Sequence, residues 1–138
     1  MAVPRGVLVS ITLKARRLQV AVVDDEAHVR KALDRLMRGA GFEVQTWTSG
    51  GAFLSSLAEG PVDCVVLDLH MPGLSGFDIL ASLKTADTPV PAVVITGHDT
   101  PEAEARAIAA GAFAYLRKPV DGDELIQTIT RAVAPAPR

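Results

Sequence analysis

The chain has 138 residues, of which 49% are hydrophobic and 22% charged, so it is sized for one domain with a real core and is not an intrinsically disordered chain. A formal net charge of -2 without a basic block, together with only 4% aromatics, argues against a domain that grips nucleic acid by itself, whether by charge or by base stacking. The single cysteine, Cys64, cannot close an internal disulfide and lies in an apolar run, which points to a reducing, cytoplasmic setting.

The first stretch to place is "GVLVSITLKARR". Its apolar part, Val7 to Leu13, is too short to span a bilayer and short for a signal peptide, and basic residues follow it rather than a small-residue cleavage site. Residues 1–17 therefore read as a tail or an extra extended segment, 18–134 as the domain, and 135–138 as an Ala/Pro tail or the start of a linker. No other run is long enough for a membrane span, so no membrane partner is expected.

Along the domain, apolar runs of β type alternate with helix-period stretches. "LQVAVV" (Leu18 to Val23) predicts a strand. Val29, Leu33, Leu36, Met37 and Ala40 then recur at helical spacing until Gly41. "FEVQTW" is a second strand, and Phe53, Leu54 and Leu57 mark a short helix before Gly60, with Gly50-Gly51 expected to weaken its start. "CVVL" (Cys64 to Leu67) is the third strand. Ser75 opens the next helix, carried by Phe77, Leu80, Ala81 and Leu83. "AVVIT" (Ala92 to Thr96) is the fourth strand, followed by an Ala-rich helix from Pro101 to Ala110, with proline suited to its first turn. "AYLR" (Ala114 to Arg117) is the fifth strand, and Leu125, Ile129 and Val133 carry the last helix. Five β-α repeats whose strands are uniformly apolar predict a parallel sheet buried on both faces by helices, with right-handed crossovers.

In such sheets ligands sit beyond the carboxyl ends of the strands. Those ends deliver Asp24 and Asp25 from the first strand, Asp68 from the third, Thr96 from the fourth and Lys118-Pro119 after the fifth. The second strand delivers only Thr46, Trp47 and Thr48 and reads as an edge. Three carboxylates in one pocket repel one another. A hard cation such as Mg²⁺ relieves that repulsion, and Lys118 adds a fixed positive charge.

"VVDDE", "VVLDLHMPGLSG", "VVITGHD" and "GAFAYLRKP", in this order and spacing, resemble the response regulator receiver domain of two-component signalling over about Leu18 to Val133. "VVITGHD" and "MPGLSG" look most like receivers of the nitrogen-fixation regulators, whose longer members often carry a helix-turn-helix output domain; none is expected within this chain, which ends in "APAPR". The resemblance implies a flavodoxin-like (βα)5 doubly wound sheet in the order 2-1-3-4-5. It implies that Asp68 accepts a phosphoryl group from a sensor histidine kinase or a phosphotransfer protein. It also implies that Mg²⁺ is held by Asp24, Asp25 (the more direct of the two), Asp68 and the backbone carbonyl of His70. Lys118, before a cis peptide bond, would pair with Asp68 and then with a phosphoryl oxygen. Thr96 would donate its hydroxyl to the phosphoryl group, with Tyr115 as an aromatic switch that turns inward as Thr96 moves. The changed face, built from the fourth helix, the fifth strand and the last helix, would serve a phosphorylation-dependent homodimer or a partner. Such a domain assists its own phosphorylation and dephosphorylation and is not a turnover enzyme. Val120 departs from the family pattern, which often has Phe there.

Simpler roles compete for several of these residues. Asp24 or Asp25 could cap a helix, and Asp68 could open an Asx-turn before Pro72. Tyr115 suits ordinary strand packing about as well as a switch. Asp121, Asp123 and Glu124 suit a helix N-terminus. His28, His70 and His98 lack close ligand spacing and read as solvated histidines. A Mg²⁺-dependent phosphohydrolase with an aspartyl nucleophile is the rival enzyme, but it usually places a second acid two residues after the nucleophile, where this chain has His70. A non-phosphorylated interaction module is the other rival, and the full set Asp24, Asp25, Asp68, Thr96 and Lys118 speaks against it.

Overall fold

The computed structural model describes residues 17–60, 62–86 and 89–134; of the expected terminal segments 1–17 and 135–138, all but residue 17 lie outside them. The elements are β1 (Gln19–Val23), α1 (Ala27–Gly39), β2 (Glu43–Trp47), α2 (Gly50–Ser56), β3 (Cys64–Asp68), α3 (Gly76–Lys84), β4 (Ala92–Thr96), α4 (Pro101–Ala109), β5 (Ala114–Arg117) and α5 (Gly122–Val133). All strand pairings are parallel, in the order β2-β1-β3-β4-β5. This is the flavodoxin-like arrangement expected from the sequence.

Period-2 alternation divides the apolar strand residues between two cores. Val20 and Val22, Cys64 and Val66, and Val93 and Ile95 face one way, toward Leu33 and Met37 of α1 and Leu125 and Ile129 of α5. Ala21 and Val23, Val65 and Leu67, and Ala92 and Val94 face the other way, toward Phe53 of α2, Ile79 and Leu80 of α3, and Ala103 and Ala107 of α4. Both faces being covered explains why β3 and β4 are apolar up to their last residues, Asp68 and Thr96, and buried along their whole length, whereas β2, at the edge, exposes Gln45 and Thr46. A fully buried Leu67 or Phe53 contributes roughly 2–3 kcal/mol each.

Local signals set the ends of the helices. Gly41 takes φ +95°, the left-handed turn that stops α1. Ser75 and Asp78 form a reciprocal capping box at the start of α3. Asp121 caps α5 by accepting from the Glu124 amide at 3.1 Å, which confirms the structural reading of that acidic stretch. Gly50 stands at the start of α2, as expected, and has a packing reason to be glycine. A Cβ there would run into the Ile79 side chain, so glycine is what lets α2 lie against α3. The Lys118-Pro119 peptide bond is cis.

Candidate functional site

The carboxyl ends of β1, β3 and β4 repeat one local device. Asp24 Oδ1 accepts from the Glu26 amide at 2.9 Å, Asp68 Oδ1 from the His70 amide at 3.2 Å, and Thr96 Oγ1 from the His98 amide at 3.0 Å. In each case a strand-end side chain turns back to the backbone two residues on, which fixes its rotamer and reverses the chain. For the two aspartates only one carboxylate oxygen is used. The Asx-turn and the pocket are therefore not alternatives for Asp68, because Oδ1 makes the turn and Oδ2 is left to face the cleft. No aspartate caps α1, whose N-cap is Glu26 without a side-chain cap bond. The Asp24 backbone is also pinned, its amide donating to the Trp47 carbonyl at 3.2 Å and its carbonyl accepting from Arg30 Nη1 at 2.8 Å.

Lys118 arrives from the end of β5, its amide donating to the Thr96 carbonyl at 2.8 Å. Its ammonium lies 2.9 Å from Asp24 Oδ2, 3.0 Å from Glu26 Oε1 and 3.5 Å from Asp68 Oδ2. The expected pairing with Asp68 is thus the longest of three contacts. Glu26 was not expected in the pocket from the sequence, although it follows Asp24-Asp25 directly in "VVDDE".

Asp24, Asp25, Glu26 and Asp68 bring carboxylate oxygens within 4.8 Å of one another. Asp24 is fully buried and Asp68 nearly so, whereas Asp25 and Glu26 are exposed at the mouth. Four formal negative charges face one ammonium. Burial, with Asp24 adding repulsion, pushes the Asp68 carboxyl above its ordinary range, and the His70 amide and Lys118 offset only part of that rise. Burial works against the charge on Lys118, yet Asp24 and Glu26 outweigh it and raise the Lys118 pKa. Lys118 holds the Glu26 carboxyl below its usual value.

Asp24 Oδ2 has the Lys118 ammonium at 2.9 Å and no other polar partner among the described residues. Buried carboxylate oxygens in excess of the one ammonium make a place for a cation. Hard oxygen donors of this kind suit Mg²⁺ or a similar ion.

Thr96 is buried at the end of β4, beside the strand that carries Asp68. Tyr115 already has its ring buried, and its hydroxyl donates to Asp99 Oδ1 at 2.8 Å. Asp99 also takes a short hydrogen bond from Arg117 Nε. Any motion of Tyr115 therefore starts from an inward, anchored ring. Cys64 is buried in the core. His28 Nε2 lies 3.5 Å from Glu26 Oε2, and the His70 and His98 rings meet edge to face with centroids 5.0 Å apart, a proximity that their separation in sequence conceals.

Residues 20–130 match the family model of the response regulator receiver domain. The chain belongs to that family. Among curated relatives, the transcriptional regulatory protein FixJ of Bradyrhizobium diazoefficiens is 36% identical over 117 residues, covering 85% of this chain and 57% of that protein. The DNA-binding transcriptional regulator NtrC of Escherichia coli is 36% identical over 115 residues, covering 83% of this chain and 24% of that protein. The chain thus spans about a quarter of the NtrC relative and little more than half of the FixJ relative. Among solved structures, FixJ-N superposes with a TM-score of 0.79 at 34% identity, covering 88% of this chain and 99% of that one. A response regulator receiver protein from Burkholderia phymatum superposes with a TM-score of 0.76 at 41% identity, covering 87% and 98%. This receiver domain of two-component signalling has no helix among its described residues long and apolar enough to cross a membrane.

Proposed function

We propose that this receiver domain takes a phosphoryl group onto Asp68 from a phosphohistidine of a sensor histidine kinase or phosphotransfer protein. The observation that carries the reading is Asp68 Oδ2 at the end of β3, 3.5 Å from the Lys118 ammonium and among carboxylates in excess of positive charge. Asp68 is anchored through its other oxygen, so Oδ2 is presented for in-line attack on phosphorus. As the oxygen–phosphorus bond forms, the phosphorus–nitrogen bond of the donor breaks, and its electron pair returns to the donor imidazole. The product is an acyl phosphate that water later cleaves. Lys118 gives up part of its contact with Asp24 and Glu26 to meet a phosphoryl oxygen, and the Thr96 hydroxyl donates to another.

Asp24, Asp25, Asp68 and the backbone carbonyl of His70 would hold Mg²⁺. When bound, this ion would supply the positive charge that draws phosphoryl oxygens into an otherwise anionic cleft. Thr96 and Tyr115 would carry the change to α4, β5 and α5, a face open to homodimerisation or to a partner. The domain works as a cytoplasmic switch that assists its own phosphorylation and dephosphorylation, not as a turnover enzyme. It makes no nucleic-acid contact of its own.

Incubation with acetyl phosphate and Mg²⁺, read by intact mass, tests the assignment. The parent gains one phosphoryl mass and Asp68→Asn gains none. Equal labelling of that variant would sink it.

A further inference from the structure

All three histidines of the chain gather at the mouth of the carboxylate pocket. His28 is paired with Glu26, and His98 is close enough to help pull the Glu26 carboxyl down. His70 and His98 are brought together by the device already described. Adjacent parallel strands β3 and β4 end in side chains that bind the amide two residues on, and those two residues are His70 and His98. Their backbones are thus held by matching bonds to Asp68 and Thr96. Both side chains are exposed, and among the described residues neither ring takes part in a hydrogen bond.

From this placement we propose that His70 and His98 form a second metal site, above and distinct from the carboxylate site, for a borderline divalent ion of the Zn²⁺, Ni²⁺ or Cu²⁺ class. Two imidazoles sharing one tetrahedral ion, with metal–nitrogen bonds of about 2.0–2.1 Å, have ring centroids about 5 Å apart. The observed separation is 5.0 Å, so the rings need to turn but the backbones need not move. Imidazole nitrogen selects these ions, whereas the all-oxygen cluster below suits Mg²⁺, so the two sites divide the metals by donor chemistry. Among the described residues no third His, Cys, Asp or Glu closes on the pair, so water fills the remaining positions and the ion exchanges. Where Asp68 is phosphorylated as proposed above, an ion here stands on the donor's path. The site itself does not depend on that reading.

Zn²⁺ titration by calorimetry, on the whole chain in excess Mg²⁺, tests the site. The parent should bind Zn²⁺ with Mg²⁺ present, and His70→Ala and His98→Ala should each weaken binding about tenfold or more. His28→Ala should leave it unchanged. Mg²⁺ binding should survive in His28→Ala and His98→Ala. Cu²⁺ in place of Zn²⁺ should show imidazole nitrogen couplings by electron paramagnetic resonance, lost in the His70→Ala/His98→Ala double variant. Equal Zn²⁺ affinity in parent and double variant, or displacement of Zn²⁺ by Mg²⁺, would overturn the proposal. As a functional readout, Zn²⁺ should slow acetyl phosphate labelling of the parent and not of His98→Ala. Failure of labelling in every protein would count against the phosphoryl reading alone, since Zn²⁺ binding is measured directly.

Discussion

The two ends of the sheet are built from the same strands and solve opposite problems. At the amino end, segments are tied by neutral backbone bonds and one carboxylate clamp. The Asp63 amide donates to the Gln19 carbonyl at 2.8 Å, Asp63 Oδ2 accepts from the Gln19 amide at 2.7 Å, and the Phe113 amide donates to the Ala92 carbonyl at 2.8 Å. At the carboxyl end, two carboxylates are buried or nearly so, and a single ammonium serves three acids. Burying charge in excess of its partner destabilises a fold. The amino end is arranged for stability, and the carboxyl end gives some of it up by burying carboxylates in excess of their one ammonium.

Removing Lys118 should expose this contrast most strongly. Lys118→Met leaves Asp24 and Asp68 buried without a counter-charge, and breaking such a pair from one side costs on the order of 3 kcal/mol. At the other end, Asp63→Ala removes a charge-assisted hydrogen bond, a loss of about 1.5 kcal/mol. Adding Asp68→Asn to Lys118→Met should recover much of the larger loss, because it removes the repulsion as well. Urea unfolding at neutral pH without metal measures all of these. Simple additivity of Lys118→Met and Asp68→Asn would mean the carboxyl end is not the strained one.

Mg²⁺ should narrow the difference. An ion that binds only the folded protein at ten times its dissociation constant adds about 1.4 kcal/mol, a rise of roughly 3–6 °C in melting temperature for a domain of this size. Asp25→Ala should abolish most of the gain and, by deleting one repelling charge, melt no lower than the parent without metal. A parent melting temperature indifferent to Mg²⁺ would contradict the excess-charge account.

How much of this was readable in advance follows from how local each feature is. The apolar strands, the Ser75 cap and the strand-end residues Asp24, Asp68, Thr96 and Lys118 are written in short stretches, and alternation places them. Glu26 was missed because its role depends on where Lys118, 92 residues away, brings its ammonium. The steric reason for Gly50 was not legible because propensity is local and the side chain a Cβ would meet, Ile79, belongs to another helix. His70 and His98 looked unrelated because their proximity comes from β3 lying beside β4. Tyr115 could be placed on a strand from sequence, but not its anchor on Asp99.

The smallest effect compares two acids, one toward each end of the sheet. Burial pushes the Cys64 thiol at the amino end of β3 up to about 12, with Asp63 adding to it, and burial with the Asp99 bond pushes the Tyr115 hydroxyl up to about 12. Burial leads in both, but only Tyr115 owes part of its rise to a direct hydrogen bond, at 2.8 Å. Asp99→Asn should therefore lower the Tyr115 titration, while Asp63→Asn should barely move Cys64, which should stay unreactive to thiol reagents in the folded protein. The chain has one tyrosine, so tyrosinate absorbance reads Tyr115 without overlap from another tyrosine. The sign for stability follows from the direction of the shift. The folded value lies above the unfolded value of about 10, so folding favours the protonated hydroxyl. Its contribution is fully present below about pH 10 and is lost as the pH climbs through about 12. Denaturant unfolding of the parent should thus weaken over that window, and more steeply than in Asp99→Asn. Coincident tyrosine titrations for the two proteins would show that burial alone sets the value and that Asp99 does not anchor the ring.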